Sequence, residues 1–252
     1  MIPNYGDTYD AEALYSPDQS VTGEDLPELP PAVVLGFQDT LRETVTDRAE
    51  PLAAHPARQF EFYGLSESVA YVPVEEIGVG APVAAVATEK AIAAGARVVV
   101  MLGGCAAFQP DIDPDTVLLP TRAVRDEGVS YHYLPAEEPV TATPRLLDQL
   151  AESFEAEELE TARGPTWTTS ALFRETVPEI DHYRERGFVS LCMESAAIWA
   201  VCQYRGVDAA TVHHADDYLS REAWITDDDR ERDLADLLDP TVQALEAYVD
   251  RE

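Results

Sequence analysis

The feature that most constrains the fold is a series of short, almost continuously apolar runs separated by helical stretches. The clearest run is "GARVVVMLGG" (95–104), which follows an alanine-rich segment predicted as a helix (81–94). Further strands are predicted at 32–37, 68–78, 115–124, 188–192 and 209–215. Strands of this kind are typical of a largely parallel sheet that is covered by helices on both faces. The sequence therefore predicts an α/β fold with a mixed, mostly parallel central sheet flanked by helices.

The chain is expected to form one domain over residues 1–252. A core for 252 residues is a common size, and no internal repeat or linker divides the sequence. Residues 1–31 are acidic and rich in proline, so we predict an irregular N-terminal arm there. A helix is predicted at 144–156, and another over the C-terminal tail, where Pro240 interrupts the helical spacing.

The charge excludes some partners. Forty-eight acidic residues against seventeen basic ones give a net charge of −31, and Lys90 is the only lysine. A nucleic-acid partner would need a basic face, so none is expected. At molar salt the Debye length falls to roughly 3 Å, so an acidic surface suits a high-salt cytoplasm. A protein that binds a partner through its acidic surface is the alternative interpretation.

The start of the chain lacks a basic segment followed by an apolar one, and no apolar run reaches the length of a membrane span. We therefore expect a cytoplasmic protein without a membrane partner. Cys105, Cys192 and Cys202 are too few and too scattered for a disulfide framework or a zinc site, so no metal is predicted.

Ligands of such sheets bind outside the carboxyl ends of the strands. That rule selects four places in the sequence: Gly36, Gly103–Gly104, Met193–Glu194 and Asp216–Asp217. Glu194 begins a predicted helix, and a carboxylate there can accept two hydrogen bonds side by side, which suits the vicinal hydroxyls of a ribose. The alternative is a first-turn glutamate facing water.

Other positions carry weaker signals. Asp217 can serve as a general acid, or it can be an ordinary loop acid. The glycine pair 103–104 can form an anion-binding nest or a simple tight turn. Trp167 and Phe173 can stack on a heterocycle, or they can anchor a surface loop.

Together these segments resemble the nucleoside phosphorylase family, which includes uridine phosphorylase and the hexameric purine nucleoside phosphorylases. The resemblance covers about residues 32–220. The segments that carry it are, in order, "EIGVGAPVAAVATEKAIAAGA", "MLGGCAAFQPDI", "VRDEGVSYHYLP", "CMESAAIWAVCQYRGV" and the acid Asp217.

The resemblance implies a role for each site residue. Met193 and Glu194 would bind the ribose, and Asp217 would protonate the leaving base. The implied base-binding residues are Cys105, Ala106, Trp167, Thr169, Phe173 and Arg174. The implied phosphate-binding residues are Gly36, Arg42, Arg58, Gly103 and Gly104.

The chain departs from the family at the phosphate. Met101 stands where family members carry a phosphate-binding arginine, and Gly104 stands where they carry a threonine. Losing a charge-assisted contact to an anion is costly.

The resemblance implies phosphorolysis of a purine or pyrimidine nucleoside to free base and ribose 1-phosphate, with inorganic phosphate as co-substrate and no cofactor. A phosphate-independent nucleosidase and a non-catalytic nucleoside-binding protein are the alternatives. The family also implies a homo-oligomer, a hexamer or a dimer, in which a neighbouring subunit completes each site.

Overall fold

The computed structural model describes residues 11, 13–20, 29–52, 60–109, 112–219, 224–226 and 233–251. Arg58, one of the predicted phosphate-binding residues, lies outside them.

Within these described residues, ten strands form one sheet. They are β1 (Ala32–Phe37), β2 (Tyr63–Gly64), β3 (Val69–Pro73), β4 (Val98–Ala107), β5 (Val117–Asp126), β6 (Val140–Thr141), β7 (Thr161–Thr169), β8 (Ser190–Cys192), β9 (Asp208–Leu219) and β10 (Trp224–Thr226). Their order is β10-β9-β5-β7-β8-β4-β1-β3-β2, and β6 pairs with β5. The sheet is mixed, as predicted.

Strand β4 is the centre of this sheet. It pairs in parallel with β1 and β9 and antiparallel with β8. Because β9 also pairs with β5, β5 with β7, and β7 with β8, five strands close into a ring. The apolar run that dominates the sequence therefore lies at the junction of this ring and the open part of the sheet.

Helices cover the sheet. They are α1 (Pro17–Ser20), α2 (Asp39–Thr46), α3 (Ala81–Ala93), α4 (Pro144–Ala156), α5 (Val177–Arg184), α6 (Ser195–Arg205) and α7 (Leu238–Val249). Helix α3 packs against α6, and α4 against α7. The predicted α/β class is confirmed, as are the helices at 81–94 and 144–156. In the described part of the chain, every helix is too short or too polar to span a membrane.

Several predicted boundaries were wrong. The strand expected at 68–78 ends at Pro73, and a 3₁₀ turn over Val74–Glu76 follows it. Pro240 does not interrupt the last helix, because it lies in the first turn of α7, where the missing N–H removes no helical hydrogen bond. Helix α2 and strand β7 were not predicted. The glycine and proline at 164–165 hide the strand pattern of β7.

Gly164 is the point of closest packing between β7 and the chain before β8. A Cβ there would stand 2.6 Å from Cγ1 of Val189 and 3.1 Å from the carbonyl oxygen of Gly187. Any side chain at position 164 must therefore displace a buried valine or the backbone.

We expect Gly164→Ala to destabilise the protein by about 1–3 kcal/mol, the usual cost of overpacking. For a chain of this length that lowers Tm by roughly 2–10 °C. The matched control is Gly128→Ala, since a Cβ at Gly128 meets nothing within 4 Å. Thermal unfolding of both variants tests this, and equal melting temperatures would contradict the packing described.

Candidate functional site

Three strand ends and two helix starts meet at one edge of the sheet. Strands β1, β4 and β9 run parallel, so their carboxyl ends lie together. The turn from β8 into α6 brings Glu194 to this edge, and Gly80 stands at the start of α3. This edge, called the crevice below, is where a ligand was expected from the sequence.

Glu194 is buried in this crevice, with 5% of its surface exposed. Its Oε1 accepts a hydrogen bond from the Gly80 N–H at 2.7 Å, and its Oε2 accepts one from the Met193 N–H at 3.0 Å. Gly80 has a φ of +99°, a conformation that glycine adopts without strain. The two amides hold the carboxylate in one orientation, and each oxygen keeps a lone pair for a further donor.

Burial raises the pKa of Glu194 to about 7, against the opposing effect of the two amide hydrogen bonds. Burial likewise lowers the pKa of His213 to about 4, so this imidazole is neutral at pH 7. The negative charges of Glu194 and Asp216 both act to raise the pKa of His213, against the effect of burial. The two carboxylates thus lie within electrostatic reach of one histidine.

Asp216 lies over Gly104. In the ladder between β4 and β9, Cys105 is opposite Ala215 and Ala106 is opposite Asp217, so Asp216 is the extra residue of a bulge. One of its carboxylate oxygens occupies the space above Gly104, only 1.7 Å from where a Cβ would stand. The other, Oδ1, accepts a hydrogen bond of 3.5 Å from Nε2 of Gln38, the residue before α2.

Asp217 lies at the other side of the bulge. Its partner on β4 is Ala106, a predicted base-binding residue, and its partner on β10 is Thr226. Burial and then the charge of Asp217 raise the pKa of Glu175 to about 7. Glu175 Oε1 is buried without a hydrogen-bond partner among the described residues. Two carboxyl groups therefore meet where the base was predicted.

The remaining predicted base-binding residues differ in their surroundings. Cys105 and Thr169 are buried at strand ends. Trp167 is 1% exposed, stacks 4.7 Å from Tyr183 and donates its Nε1–H to Asp126. Phe173 is 94% exposed, and Arg174 beside it is also exposed. Trp167 thus belongs to a buried aromatic cluster, while Phe173 borders solvent. Their roles toward a base stay predictions.

The predicted phosphate-binding glycines lie close to bulky neighbours. The ring of Tyr71 lies over Gly36, with its hydroxyl 2.2 Å from where a Cβ would stand. A Cβ on Gly103 would stand 3.0 Å from Cε of Met101. Met101 is fully buried, and its sulfur accepts a hydrogen bond from Oγ of Ser195.

Arg42, the predicted replacement for the missing arginine, lies on α2 and contacts three carboxylates. Its Nη1 lies 2.7 Å from Oε1 of Glu76, its Nη2 3.7 Å from Asp39 and its Nε 4.0 Å from Glu75. Its phosphate-binding role stays a prediction.

Three residues at these strand ends were not predicted: Gln38, Gly80 and Glu175. Asp216 was named together with Asp217 as a strand-end position, but no role was assigned to it. The adjacent acids 216 and 217 carried a signal, since one of two neighbouring strand residues normally faces away. The bulge changes that alternation. Gly80 belongs to a segment that carried the family resemblance, but nothing in the sequence connects it to Glu194. Among the described residues no group of three or more metal-ligating side chains is assembled.

Comparison with known proteins identifies the family to which the chain belongs. A family model described as the phosphorylase superfamily matches residues 31–247. The chain belongs to the phosphorylase superfamily. This match spans all the strand ends of the crevice, so the expectation of a nucleoside phosphorylase-type enzyme, a pentosyltransferase, is confirmed at the level of the family.

Individual relatives are distant. Guanosine phosphorylase of Halorubrum lacusprofundi is 25% identical over 162 residues, which are 64% of this chain and 67% of the relative. Uridine phosphorylase of Escherichia coli is 26% identical over 208 residues, 76% of this chain and 81% of the relative.

Solved structures share the fold at lower identity. A purine nucleoside phosphorylase from Toxoplasma gondii in complex with immucillin-H has a TM-score of 0.76 at 18% identity, covering 92% of this chain and 100% of its own. An AMP nucleosidase from Bacteroides thetaiotaomicron has a TM-score of 0.71 at 19% identity, covering 88% and 90%. These likenesses confirm the predicted fold class.

The raised pKa of Glu194 predicts a contribution to the pH dependence of stability. In the folded protein the Glu194 carboxyl group keeps its proton up to about pH 7, whereas in the unfolded chain it loses the proton near the ordinary pKa of 4.5. The free energy of unfolding therefore falls as the pH rises from 4.5 to 7. The full effect is on the order of 3 kcal/mol. We expect the free energy of unfolding to fall more steeply between pH 4.5 and 7.5 in the wild type than in Glu194→Gln.

Denaturant unfolding at fixed high salt measures this difference. Glu152→Gln is the control, because Glu152 is exposed on α4. Its profile should match the wild type. Parallel profiles for the wild type and Glu194→Gln would show that Glu194 titrates as in an unfolded chain.

Proposed function

We propose that the protein breaks the bond between C1′ and the base nitrogen of a nucleoside, with Glu194 binding the ribose hydroxyls. The observation that carries this proposal is the buried carboxylate of Glu194, oriented by the amides of Gly80 and Met193 in a ligand crevice. A fixed carboxylate with free lone pairs can accept hydrogen bonds from two vicinal hydroxyls at once.

The sugar is the centre of the reaction. As the C1′–N bond breaks, positive charge develops on the ribose ring, and a preorganised negative group nearby stabilises that charge. Orienting the ring by its hydroxyls also aligns the breaking bond. The Met193 side chain would pack beside the sugar. Its Cε lies 3.9 Å from where a Cβ would stand on Gly80.

Asp217 is proposed to protonate the leaving base. It lies beside Ala106, and its charge reaches Glu175, whose pKa of about 7 lets that group hold a proton near neutral pH. A carboxyl group at this place can donate a proton to a ring nitrogen as the bond breaks. Cys105, Ala106, Thr169 and the exposed Phe173 would surround the base. The relatives are named for guanosine and for uridine, so a purine and a pyrimidine are both proposed as substrate classes.

The proposed cleavage has two candidate sugar acceptors. Phosphate is the one implied by the names of the phosphorylase relatives, and ribose 1-phosphate would then be the product. The backbone of Gly36, Gly103 and Gly104 would provide the donors. Water is the second candidate acceptor, favoured by the buried, uncharged Met101 in place of the family's arginine and by the structural neighbour named as a nucleosidase. A non-catalytic nucleoside-binding role is the third, and an assay of base release tests it.

We also propose a homo-oligomer, a hexamer or a dimer, in the cytoplasm of a cell with high internal salt and with a role in nucleoside salvage. Large apolar side chains exposed near the site support association: Val79, Val86, Leu172 and Phe173. The net charge of −31 supports the salt-adapted surface. One domain over residues 1–252, with the arm 1–31, is the proposed organisation.

The first functional test replaces the sugar ligand. We expect Glu194→Ala to lower kcat/KM for nucleoside cleavage by at least 100-fold, since it removes the group that orients the ring and faces its developing charge. Release of free base is followed by chromatography, with and without phosphate, in high salt. Glu152→Gln should be unchanged, and normal turnover by Glu194→Ala would refute the sugar assignment.

The second functional test addresses the leaving base. Asp217→Asn should slow release of an ordinary purine by about 100-fold or more, the usual range for general acid catalysis. A purine nucleoside methylated at N7 leaves as a neutral base without protonation, so its cleavage should change much less. Equal losses on the two substrates would show that Asp217 is not the acid.

A further inference from the structure

The predicted phosphate position contains a carboxylate. One oxygen of Asp216 lies so close to Gly104 that any side chain at position 104 would collide with it. Family members are expected to carry a threonine there. The carboxylate of Asp216 thus takes the space that a phosphate-binding hydroxyl would need.

Gln38 fixes this carboxylate from the β1 side. Its Nε2 donates to Oδ1 of Asp216 at 3.5 Å, and Nδ1 of His214 lies 3.9 Å from the same oxygen. Since Gln38 follows β1 and Gly104 ends the apolar part of β4, Asp216 extends across the gap between the two predicted phosphate-binding turns.

Positive charge at this end of the crevice is already neutralised. Arg42 contacts Glu76, Asp39 and Glu75, and Met101 is uncharged. A phosphate ion would therefore meet the carboxylate of Asp216, beside an Arg42 that is already paired with Glu76. A neutral molecule such as water is not repelled by this carboxylate, and it can donate a hydrogen bond to it.

We propose that water, not phosphate, accepts the ribose in this protein, and that Asp216 is the base that takes the water's proton. This inference rests on the proposed cleavage of a nucleoside. The C1′–N bond breaks with its electron pair passing to the base, which receives a proton from Asp217. The water oxygen forms the new bond to C1′ while one of its protons passes to Asp216. The products are free base and ribose, and solvent returns the proton from Asp216 to Asp217.

The position of Asp216 suits this step. Asp216 lies over Gly104 of β4, and Glu194 lies in the turn after β8, which pairs with β4, so the proposed base and the proposed sugar ligand lie at the same end of β4. Asp217 lies on the far side of the same bulge, beside Ala106. In the proposed reaction the two adjacent acids serve different groups, Asp216 the incoming water and Asp217 the leaving base.

The decisive experiment identifies the sugar product. The full-length protein is incubated in high salt with a panel of purine and pyrimidine nucleosides, in buffer freed of phosphate and again with added inorganic phosphate. We expect equal rates of base release in both, with ribose as the sugar product. Strictly phosphate-dependent release with ribose 1-phosphate as the product would overturn the inference and leave the proposed cleavage intact. No release from any nucleoside in either buffer would overturn the proposed function itself.

Variants then test Asp216. Asp216→Ala should lower phosphate-free base release by 100-fold or more, and added formate should restore part of the rate by supplying a small carboxylate in the vacated space. Asp216→Asn keeps the shape of the side chain. It should release base as slowly as Asp216→Ala, and formate should not restore the rate. Asp148→Asn, on the exposed ion pair with Arg163, is the control and should match the wild type. The melting temperature shows whether each variant is folded. A folded Asp216→Asn or Asp216→Ala variant that releases base at the wild-type rate would refute the assignment of Asp216.

Discussion

The site depends on one buried charge and the two amides that hold it. Leaving a carboxylate in the interior without hydrogen bonds is unfavourable, and the N–H groups of Gly80 and Met193 offset part of that cost for Glu194. This contact joins the start of α3 to the turn before α6, two helices that also pack against each other. The geometry of the proposed sugar site is therefore fixed by the same packing that covers the sheet.

The distribution of carboxylates distinguishes this chain from the family pattern. Arg42 is paired with Glu76. The carboxylate of Asp216 occupies the space over Gly104, where the family's threonine is expected to bind phosphate. Each change removes a positive charge or a hydrogen-bond donor from the predicted phosphate position. The ribose end, by contrast, keeps its glutamate and methionine. Such a division is what the proposed change of sugar acceptor requires, with the proposed sugar site and the broken bond left as in the family.

Much of this could be predicted from sequence, because continuous β-branched runs and strand-end glycines are local signals. They correctly located the core strand β4 and helices α3 and α4, and they predicted Glu194 at the start of a helix, where α6 begins. The contact between Gly80 and Glu194 could not be predicted, since the two residues are 114 positions apart. The direction of Asp216 was also hidden, because it follows from a bulge that strand periodicity does not record.

A crystal structure of the protein with a bound nucleoside, soaked in phosphate, would show at once what Glu194 and Asp216 contact. The account predicts that the two oxygens of Glu194 lie about 2.7 Å from the 2′- and 3′-hydroxyls of the ribose. It also predicts a water molecule between Asp216 and C1′, with no phosphate above Gly104. A ribose bound away from Glu194 would contradict the account of the sugar site, and a phosphate seated above Gly104 would contradict the role of water.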